Sequence, residues 1–348
     1  MALKAVVFAA GLGKRIRPLS DTRSKPLLPV AGRPVILMVL DALRHAGVRE
    51  VGIIINYLSE KVMALVGERA KDLDIRFIHQ EKTLGTGHAL AAASEYLSDV
   101  REFLVVYGDI TLTPEALERL IEFHRSGKYD GSLMGVRVDS GQRFGIIRAS
   151  NNILERILEK AGESGPVNSG VYILPSETLD VVKSLKPSPR GEYELTDALN
   201  IMAESGRRIG VYVDSGDWWF DVGSPPSYLQ ANAYFLTRRL GSKVSLKRPC
   251  YMGKDTKLAG PCIIGEGTRI GSGSTVIGPS FIGDNVRIGA NVVIESSIVL
   301  EDVVIDDGAS LRSVIVGEGA HIGAGLRLNG AELPQMTIAP HTRLSSRI

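Results

Sequence analysis

The sequence has few cysteines and no long apolar run. These two absences argue against a cysteine-rich metal-binding protein and against a membrane protein. Its two cysteines, Cys250 and Cys262, do not form the cluster that a metal site needs. No apolar stretch approaches the length of a membrane span, and the N-terminus enters a predicted strand without a signal-peptide pattern. We therefore expect a soluble protein of a reducing, cytoplasmic compartment without a membrane partner.

An excess of charge of either sign is also missing. The 348 residues include 41 Lys and Arg against 39 Asp and Glu, which leaves a formal net charge of +2. This balance gives no argument for nucleic acid as a partner. Hydrophobic residues make up 44% of the chain and charged residues 23%, which is typical of a globular protein. The length suffices for two domains.

The N-terminal segment has the composition of a phosphate-binding loop. An apolar stretch that ends at Phe8 runs into the small residues Ala9-Ala10-Gly11-Leu12-Gly13, and four cations follow: Lys14, Arg15, Arg17 and Lys25. Glycines let backbone N–H groups approach an anion, and Lys and Arg neutralise it. The dinucleotide fingerprint fails at Ile16, where a third glycine is required, and the Walker A motif fails at Arg15.

Residues 1 to about 240 alternate strand and helix patterns. Predicted strands lie at 5–8, 51–55, 75–78, 103–107, 132–136, 144–148, 171–174 and 208–213, and predicted helices at 34–45, 59–69, 87–97, 176–185, 195–204 and 228–240. A further helix is expected to begin after Thr113, because Pro114 suits a first helical turn. The alternation predicts an α/β fold with a doubly wound sheet, in which ligands lie at the carboxyl ends of strands. Gly11, Gly85 and Asp109 fall at such ends.

Beyond residue 243 the period changes to six. Aliphatic residues occupy every sixth position: Ile264, Ile270, Val276, Ile282, Ile288, Ile294 and Leu300. The register slips near Ile305 and resumes at Leu311, Val316 and Ile322. This hexapeptide repeat resembles left-handed parallel β-helices, in which the aliphatic residue points into a prism-shaped core. We predict domains at 1–240 and 241–348, with self-association into a homo-oligomer through the β-helix.

The phosphate loop carries a specific resemblance. Gly11, Gly13, Arg15, Pro18 and Leu19, followed by Lys25-Pro26, resemble the signature of the sugar-phosphate nucleotidylyltransferases, although Lys14 replaces a common threonine. Matching motifs run from residue 9 to 226. The resemblance implies a Rossmann-like doubly wound mixed sheet, with a nucleoside triphosphate and a sugar 1-phosphate as substrates and pyrophosphate as a product. The stretch from Leu84 to Ala89 resembles the uridylyltransferases acting on N-acetylglucosamine 1-phosphate more than the guanylyl enzymes.

The resemblance also implies the roles of individual residues. Asp109 and Asp221 are expected to hold Mg²⁺, while Arg15 and Lys25 charge-stabilise the triphosphate and Lys160 meets the sugar phosphate. Nucleotide binding is expected at Ala10, Gly11, Gly13, Gln80, Gly85 and Thr86. Sugar binding is expected at Gly145, Glu159, Asn168 and Glu194. His88 is not expected to be catalytic.

Other functions remain open at this point. A bifunctional enzyme with glucosamine-1-phosphate acetyltransferase activity is one, since His321 is well placed within the repeats. The roughly eleven six-residue units are fewer than such relatives carry. A mannose-1-phosphate guanylyltransferase and a catalytically silent regulatory subunit are the others, although Arg15, Lys25, Asp109 and Asp221 are all present. Neither the choice between uridine and thymidine nor the sugar follows from the residues.

Overall fold

The computed structural model describes residues 3–56, 58–138, 144–159 and 164–345, and it divides into two compact units. The first unit comprises Met1–Leu12, Ser24–Leu27 and Val35–Trp219, and the second comprises Gly13–Arg23, Leu28–Pro34 and Phe220–Ile348. The domain boundary at residue 240 stays a prediction. Among the described residues, no helix has the length and apolar character that crossing a membrane requires.

The secondary structure before residue 241 alternates as the sequence pattern indicates. The helices are α1 (Val35–His45), α2 (Ser59–Arg69), α3 (Thr86–Ala92), α4 (Pro114–Ser126), α5 (Thr178–Ser184), α6 (Leu195–Glu204) and α7 (Pro225–Leu240). The strands are β1 (Lys4–Phe8), β2 (Pro29–Val30), β3 (Arg33–Pro34), β4 (Glu50–Ile55), β5 (Asp74–His79), β6 (Glu102–Tyr107), β7 (Gly131–Val136), β8 (Gly145–Ser150), β9 (Ile153–Glu159), β10 (Val167–Pro175) and β11 (Ile209–Asp214).

A nine-stranded mixed sheet organises the first unit, in the order β5-β4-β1-β6-β10-β7-β11-β9-β8. Strand β1 pairs in parallel with β4 and β6, so that Val7 lies opposite Ile53 and Val106. Strand β10 is antiparallel to β6. Because β4 and β5 extend the sheet on one side of β1 and β6 on the other, strand order reverses between β1 and β6. The carboxyl ends of these two strands are the place where such a sheet leaves a ligand crevice.

Helices cover the sheet and close its core. Val6 and Val105 are fully buried in one cluster with apolar residues of α3, α5 and α6. Helices α1 and α4 pack against each other, and α4 also contacts β7 and β11. Thr113 caps α4, because its hydroxyl accepts a hydrogen bond from the Ala116 N–H at 3.4 Å. The doubly wound α/β fold is confirmed.

Three segments of this unit differ from the sequence prediction, and one is β10, which begins at Val167 instead of residue 171. Helix α3 ends at Ala92 rather than at residue 97, because the Ser94 hydroxyl bonds the Ala91 carbonyl at 2.8 Å and the chain tightens into a turn. Strand β9 was not predicted. It forms a hairpin with β8 through Asn151 and Asn152, whose φ angles are +49° and +60°. Two asparagines between alternating runs are a hairpin signal that the sequence did contain.

Helix α7, in the second unit, is also longer than predicted. The expected start was residue 228, whereas the helix begins at Pro225. Pro225 and Pro226 occupy its first turn, where the missing N–H groups remove no helical hydrogen bond.

The chain after α7 winds into coils of short parallel strands. The strands are β12 (Val244–Leu246), β13 (Tyr251–Met252), β14 (Lys257–Ala259), β15 (Cys262–Ile264), β16 (Arg269–Ile270), β17 (Thr275–Ile277), β18 (Ser280–Ile282), β19 (Arg287–Ile288), β20 (Val293–Glu295), β21 (Ile298–Val299), β22 (Val304–Ile305), β23 (Ser310–Arg312), β24 (Ile315–Val316), β25 (His321–Ile322), β26 (Arg327–Asn329), β27 (Thr337–Ile338) and β28 (Arg343–Leu344). Every third strand stacks, which makes three parallel sheets. This is the left-handed parallel β-helix of the prediction.

The six-residue period is confirmed up to Ile294, and the slip comes earlier than predicted. Strand pairing places Val299, not Leu300, in register with Ile282. Only Ser296 and Ser297 lie between Glu295 and Ile298, with Ser296 at φ +48°, whereas three residues, 278–280, lie between the paired positions Ile277 and Phe281 of the coil before. Leu300 is nevertheless buried. The missing Gly-Pro pair is the sequence signal for the shortened coil.

Candidate active site

A buried lysine and an aspartate meet in the first unit. Asp109 follows β6 directly after Gly108, whose N–H donates to the Phe8 carbonyl at 2.9 Å and ties the end of β6 to the end of β1. Lys25 donates from Nζ to Asp109 Oδ2. The Lys25 side chain is only 8% exposed, against 29% for Asp109, so solvent reaches the carboxylate more readily than the ammonium group. The two predicted residues are therefore brought together.

A second cation–carboxylate pair lies in the second unit. Arg15 Nη2 donates to Asp221 Oδ2 at 2.8 Å. A side chain at Gly223 would meet the Asp221 carboxylate at 2.6 Å and Arg15 Nη2 at 3.0 Å, so the glycine makes room for the pair. Ser227 donates to the Asp221 carbonyl at 2.7 Å and holds the backbone on the other side. Sequence reasoning did not single out Gly223, although it lies two residues after Asp221.

The donor chemistry of the aspartates suits a divalent cation. Carboxylate oxygens are the ligands that Mg²⁺ prefers, and the ion is commonly held by one or two carboxylates together with substrate phosphates. Over the described ranges, no cluster of three or more His, Cys, Asp or Glu side chains could hold a metal by itself. Asp109 belongs to the first unit and Asp221 to the second. The magnesium site at these two residues stays a prediction.

The small residues after β1 leave the backbone open. The Ala9 N–H donates to the Ile54 carbonyl at 2.8 Å, which fixes the chain just beyond the strand. Ala10 is buried, whereas Gly11 is exposed and has no atom within 4 Å of where a side chain would begin. Gly13 begins the second unit, where its carbonyl accepts from the Ser20 hydroxyl at 2.8 Å. The backbone at Gly11 is thus accessible to an anion.

Gln80 is held rigidly beyond the end of β5. Its side chain is buried, and Nε2 donates to the Gly85 carbonyl at 3.2 Å and to His88 Nδ1 at 3.0 Å. His88 therefore orients Gln80. The amide oxygen of Gln80 can still accept a hydrogen bond.

Gly85 and Thr86 join the start of α3 to the start of α6. Gly85 has φ +109°, and a side chain there would lie 2.5 Å from the Tyr193 carbonyl oxygen. Thr86 Oγ1 accepts from the Leu195 N–H at 2.9 Å. The fold thus requires glycine at this position whether or not a base approaches it, because the positive φ and the Tyr193 backbone exclude a side chain.

The predicted sugar-binding residues Gly145, Glu159 and Glu194 come together around an arginine that sequence reasoning missed. Arg190 donates to Glu194 Oε1 at 2.7 Å and to Glu159 Oε2 at 3.5 Å. Thr196 donates to the other oxygen of Glu159 at 3.1 Å. Gly145 pairs with Glu159 across the β8–β9 hairpin, and a side chain on it would meet the carboxylate at 3.0 Å. Arg190 lies four residues before the predicted Glu194, and this proximity was its only signal in the sequence.

Burial changes the protonation of Glu194. Desolvation is the largest cause that raises its pKa, the Arg190 guanidinium opposes that shift, and the neighbouring Glu159 adds to it; the result is a pKa of about 7. Glu194 can thus hold or release a proton near neutral pH. A carboxyl group of this kind can both donate to and accept from a sugar hydroxyl.

A chain of polar side chains leads from the fourth predicted sugar residue into the sheet. Asn168 donates from Nδ2 to the Tyr172 hydroxyl at 2.7 Å, and that hydroxyl donates to the Tyr107 hydroxyl at 3.2 Å. Desolvation raises the pKa of the Tyr107 phenol. Asn168 is therefore oriented by the buried Tyr172 phenol, which is held in turn by Tyr107. Lys160 lies outside the described residues.

Comparisons with known families match both halves of the chain. The family described as nucleotidyl transferase matches residues 4–238, and the family described as the EIF2B subunit epsilon LbH domain matches residues 241–341. The two matched ranges correspond to the strand–helix pattern and to the hexapeptide repeat.

Individual relatives are similar along most of the chain. A protein named bifunctional protein GlmU from Methanococcus maripaludis is 31% identical over 270 residues, which is 76% of this chain and 61% of that protein. A glucose-1-phosphate thymidylyltransferase of Streptomyces griseus is 31% identical over 284 residues, 77% of this chain and 79% of that protein. The chain thus spans about three fifths of the length of the Methanococcus maripaludis GlmU relatives.

Solved structures agree with this similarity. A putative glucose-1-phosphate thymidylyltransferase from Bacillus anthracis is 28% identical, with a TM-score of 0.62, over 69% of this chain and 96% of that structure. A UDP-glucose pyrophosphorylase at 22% identity and a TM-score of 0.61 has the same fold over 69% of this chain.

Proposed function

We propose that this chain, which belongs to the nucleotidyl transferase family, transfers a nucleotidyl group from UTP or dTTP to a hexose 1-phosphate and releases pyrophosphate. N-acetylglucosamine 1-phosphate and glucose 1-phosphate are the proposed acceptors. The observation that carries the proposal is the two cation–carboxylate pairs, Lys25 with Asp109 and Arg15 with Asp221. The names of the relatives support the sugar-phosphate substrate class.

The reaction needs little from a general base. An oxygen of the sugar phosphate attacks the α-phosphorus of the triphosphate and forms a new P–O bond. The bond between the α-phosphorus and its bridge to the β-phosphate breaks, and pyrophosphate leaves with the electron pair. The attacking phosphate is already largely ionised, since its second pKa is about 6. The protein must therefore bring two anions together and stabilise the charge that develops between them.

The ionic pairs supply that stabilisation. We expect Lys25 and Arg15 to exchange their carboxylate partners for phosphate oxygens when the triphosphate binds. Asp109 and Asp221 would hold Mg²⁺, which supplies charge neutralisation at the phosphates when bound. The open backbone at Gly11, with Ala10 and Gly13 beside it, would donate N–H groups to the triphosphate.

The remaining site residues divide between base and sugar. Gln80, with Gly85 and Thr86 next to it, would bind the base through its amide oxygen. Glu159, Glu194 and Asn168 would bind sugar hydroxyl or acetamido groups, and Gly145 would leave room for Glu159. We add Arg190 to this group, because it joins both carboxylates. Lys160 is proposed from the sequence motif to contact the sugar phosphate.

Pyrophosphate release with Mg²⁺ across a matrix of substrates tests this function. The triphosphates are UTP, dTTP, GTP, ATP and CTP, and the acceptors are the 1-phosphates of glucose, N-acetylglucosamine, galactose, glucosamine and mannose. We expect turnover with UTP or dTTP that requires Mg²⁺ and Asp109. A best rate with GTP and mannose 1-phosphate would favour the guanylyltransferase instead, and no turnover with any pair would favour the regulatory subunit.

An acetyltransferase activity of the β-helix is a second candidate. His321 Nε2 lies 2.8 Å from Asp306 Oδ2, one coil away, so a carboxylate orients the imidazole. An oriented histidine is a common general base for acyl transfer. Acetylation of glucosamine 1-phosphate by acetyl-coenzyme A, with His321→Ala as control, tests it. The oligomeric state, which we propose to be a homo-oligomer through the β-helix, is measured by light scattering.

A further inference from the structure

The segment of residues 13–23 contacts the β-helix within the second unit through Arg23 and Thr22. Within the second unit, Arg23 Nη2 pairs with Glu301 Oε1 and lies 3.7 Å from Glu318 Oε2. The Arg23 side chain is 15% exposed and that of Glu318 is 10% exposed, so this cluster is largely withdrawn from solvent. An ion pair in such surroundings is screened far less by salt than one on the surface.

Glu318 also contacts this segment through a hydrogen bond. The Thr22 hydroxyl donates to Glu318 Oε1 at 2.6 Å. Glu318 Oε2 is buried and accepts no hydrogen bond from any described residue, so the nearby Arg23 guanidinium is what balances its charge. A buried carboxylate without such a cation would be strongly unfavourable.

The two glutamates occupy equivalent corners of successive coils. Val299 and Val316 are in register, and each glutamate follows its valine by two residues. The Gly319 N–H donates to the Glu301 carbonyl at 3.0 Å, as the stacking requires. Like charges stacked in this way repel. The loop cation offsets that repulsion, so the corner is suited to receiving the loop.

The segment between the phosphate site and Arg23 is compact. Ile16 and Leu19 are fully buried, and the Ser20 hydroxyl bonds the Gly13 carbonyl at 2.8 Å. Two short 3₁₀ helices, Lys14–Ile16 and Leu19–Asp21, fill most of the segment. Because the side chains between Arg23 and Arg15 are packed, a displacement of Arg23 should also displace Arg15.

We propose that Glu301 and Glu318 are positioning residues for triphosphate binding, because they hold Thr22 and Arg23 and thereby fix the loop that carries Arg15. The β-helix is then part of the nucleotide-binding apparatus and has more than an assembly role. This inference rests on the proposed function, in which Arg15 contacts the triphosphate.

The test compares the full chain with two variants. The double variant E301Q/E318Q removes both charges while keeping the side-chain shapes. The matched control E295Q removes a glutamate of the same exposure, 34% against 35% for Glu301, whose partner Arg312 belongs to the β-helix itself. Hydrogen exchange over residues 13–23 is measured without substrate, and KM is measured for the triphosphate and for the sugar phosphate separately.

We expect faster exchange over residues 13–23 and a rise of about threefold to thirtyfold in the triphosphate KM of E301Q/E318Q. The sugar-phosphate KM and all values for E295Q should stay at wild-type level. Unchanged exchange, or faster exchange with an unchanged triphosphate KM, would overturn the inference. Equal rises in both KM values would also overturn it, because they would indicate a general loss of structure.

Arg23 variants decide the outcome if the double variant does not fold. R23K keeps the cation, so exchange over residues 13–23 should stay slow and the triphosphate KM near the wild-type value. R23Q should show faster exchange and a raised triphosphate KM. If the wild-type protein turns over no substrate pair, the proposed function fails by itself. The exchange comparison then still decides whether the glutamates fix the loop.

Discussion

Paired polar side chains are separated by different numbers of residues in the first unit and in the β-helix. In the first unit, Lys25 and Asp109 are 84 residues apart. In the β-helix, the pairs His321–Asp306 and Arg312–Glu295 are 15 and 17 residues apart, or about one coil. A coiled fold places each strand beside the next turn of chain, so partners follow from the period. A sheet with crossover connections brings together residues that no period relates.

The ion pair of Arg23 with Glu301 differs from these pairs within the β-helix. Arg23 and Glu301 are 278 residues apart, although Glu301 belongs to a periodic coil. The corner of the β-helix at Glu301 thus contacts a residue whose sequence position the coil period does not set. We propose that ion pairs between residues far apart in the sequence serve function, whereas pairs one coil apart serve structure. The following predictions test this distinction.

The largest effect is expected at Asp109. Asp109→Asn should lower the rate of pyrophosphate release by about a thousandfold or more, because it removes a charge next to the reacting phosphates. The control is Asp99→Asn. Asp99 pairs with Lys4 across 95 residues at 2.8 Å, but at the amino end of β1. A comparable loss in both variants would mean that the carboxyl end of the strands has no special role.

The core of the β-helix should show the next largest effect. Ile294→Ala should lower the free energy of unfolding by about 2 to 5 kcal/mol, because it leaves a cavity among stacked aliphatic residues. Val293, the preceding residue of the same strand, is 39% exposed. Val293→Ala should cost less than about 0.5 kcal/mol. Denaturant unfolding measures both, and similar losses would contradict the inward and outward assignment.

Glu194 should make stability depend on pH. Its pKa is raised from 4.5 to about 7 in the folded protein, so folding retains a proton that the unfolded chain releases. The free energy of unfolding should therefore fall as pH rises from about 4.5 to about 7, by up to about 3 kcal/mol. Glu194→Gln should flatten this dependence in urea unfolding. The control is Glu204→Gln, at the exposed last residue of α6, which should leave the dependence unchanged.

The smallest expected effect is a difference in stability between alanine variants of two predicted nucleotide-binding glycines. Gly85→Ala should lower the free energy of unfolding by about 1 to 3 kcal/mol, because alanine is strained at a positive φ and would meet the Tyr193 backbone. Gly11→Ala should leave the thermal melting temperature unchanged and weaken triphosphate binding, since its surroundings are open. Equal melting temperatures for both variants would show that the Tyr193 contact is not structural.

Local patterns predicted much of both regions, and the misses have local causes. The buried strands and Thr113 followed from composition and capping, and the aliphatic positions through Ile294 followed from the period. The slip to Val299 was misplaced because the shortening lies in the corner, where one residue is dropped. Strand β9 was missed although Asn151-Asn152 marked its hairpin.

Ionic partners were harder to predict than positions. Glu159 and Glu194 were both proposed for sugar binding, but the arginine between them was not. Arg190 and Glu194 are four residues apart, but Arg190 and Glu159 are 31 residues apart, and their contact depends on which segments the fold brings together.

The sequence by itself determined the alternating strands and helices, the six-residue period and the signature residues of the phosphate loop, because each of these depends on neighbours a few residues away. Only the tertiary structure decided that Glu194 is buried beside Arg190 and that Arg23 lies against Glu301 and Glu318. Burial and ion pairing are properties of segments that meet in space, and strand pairing and coil stacking set which segments meet.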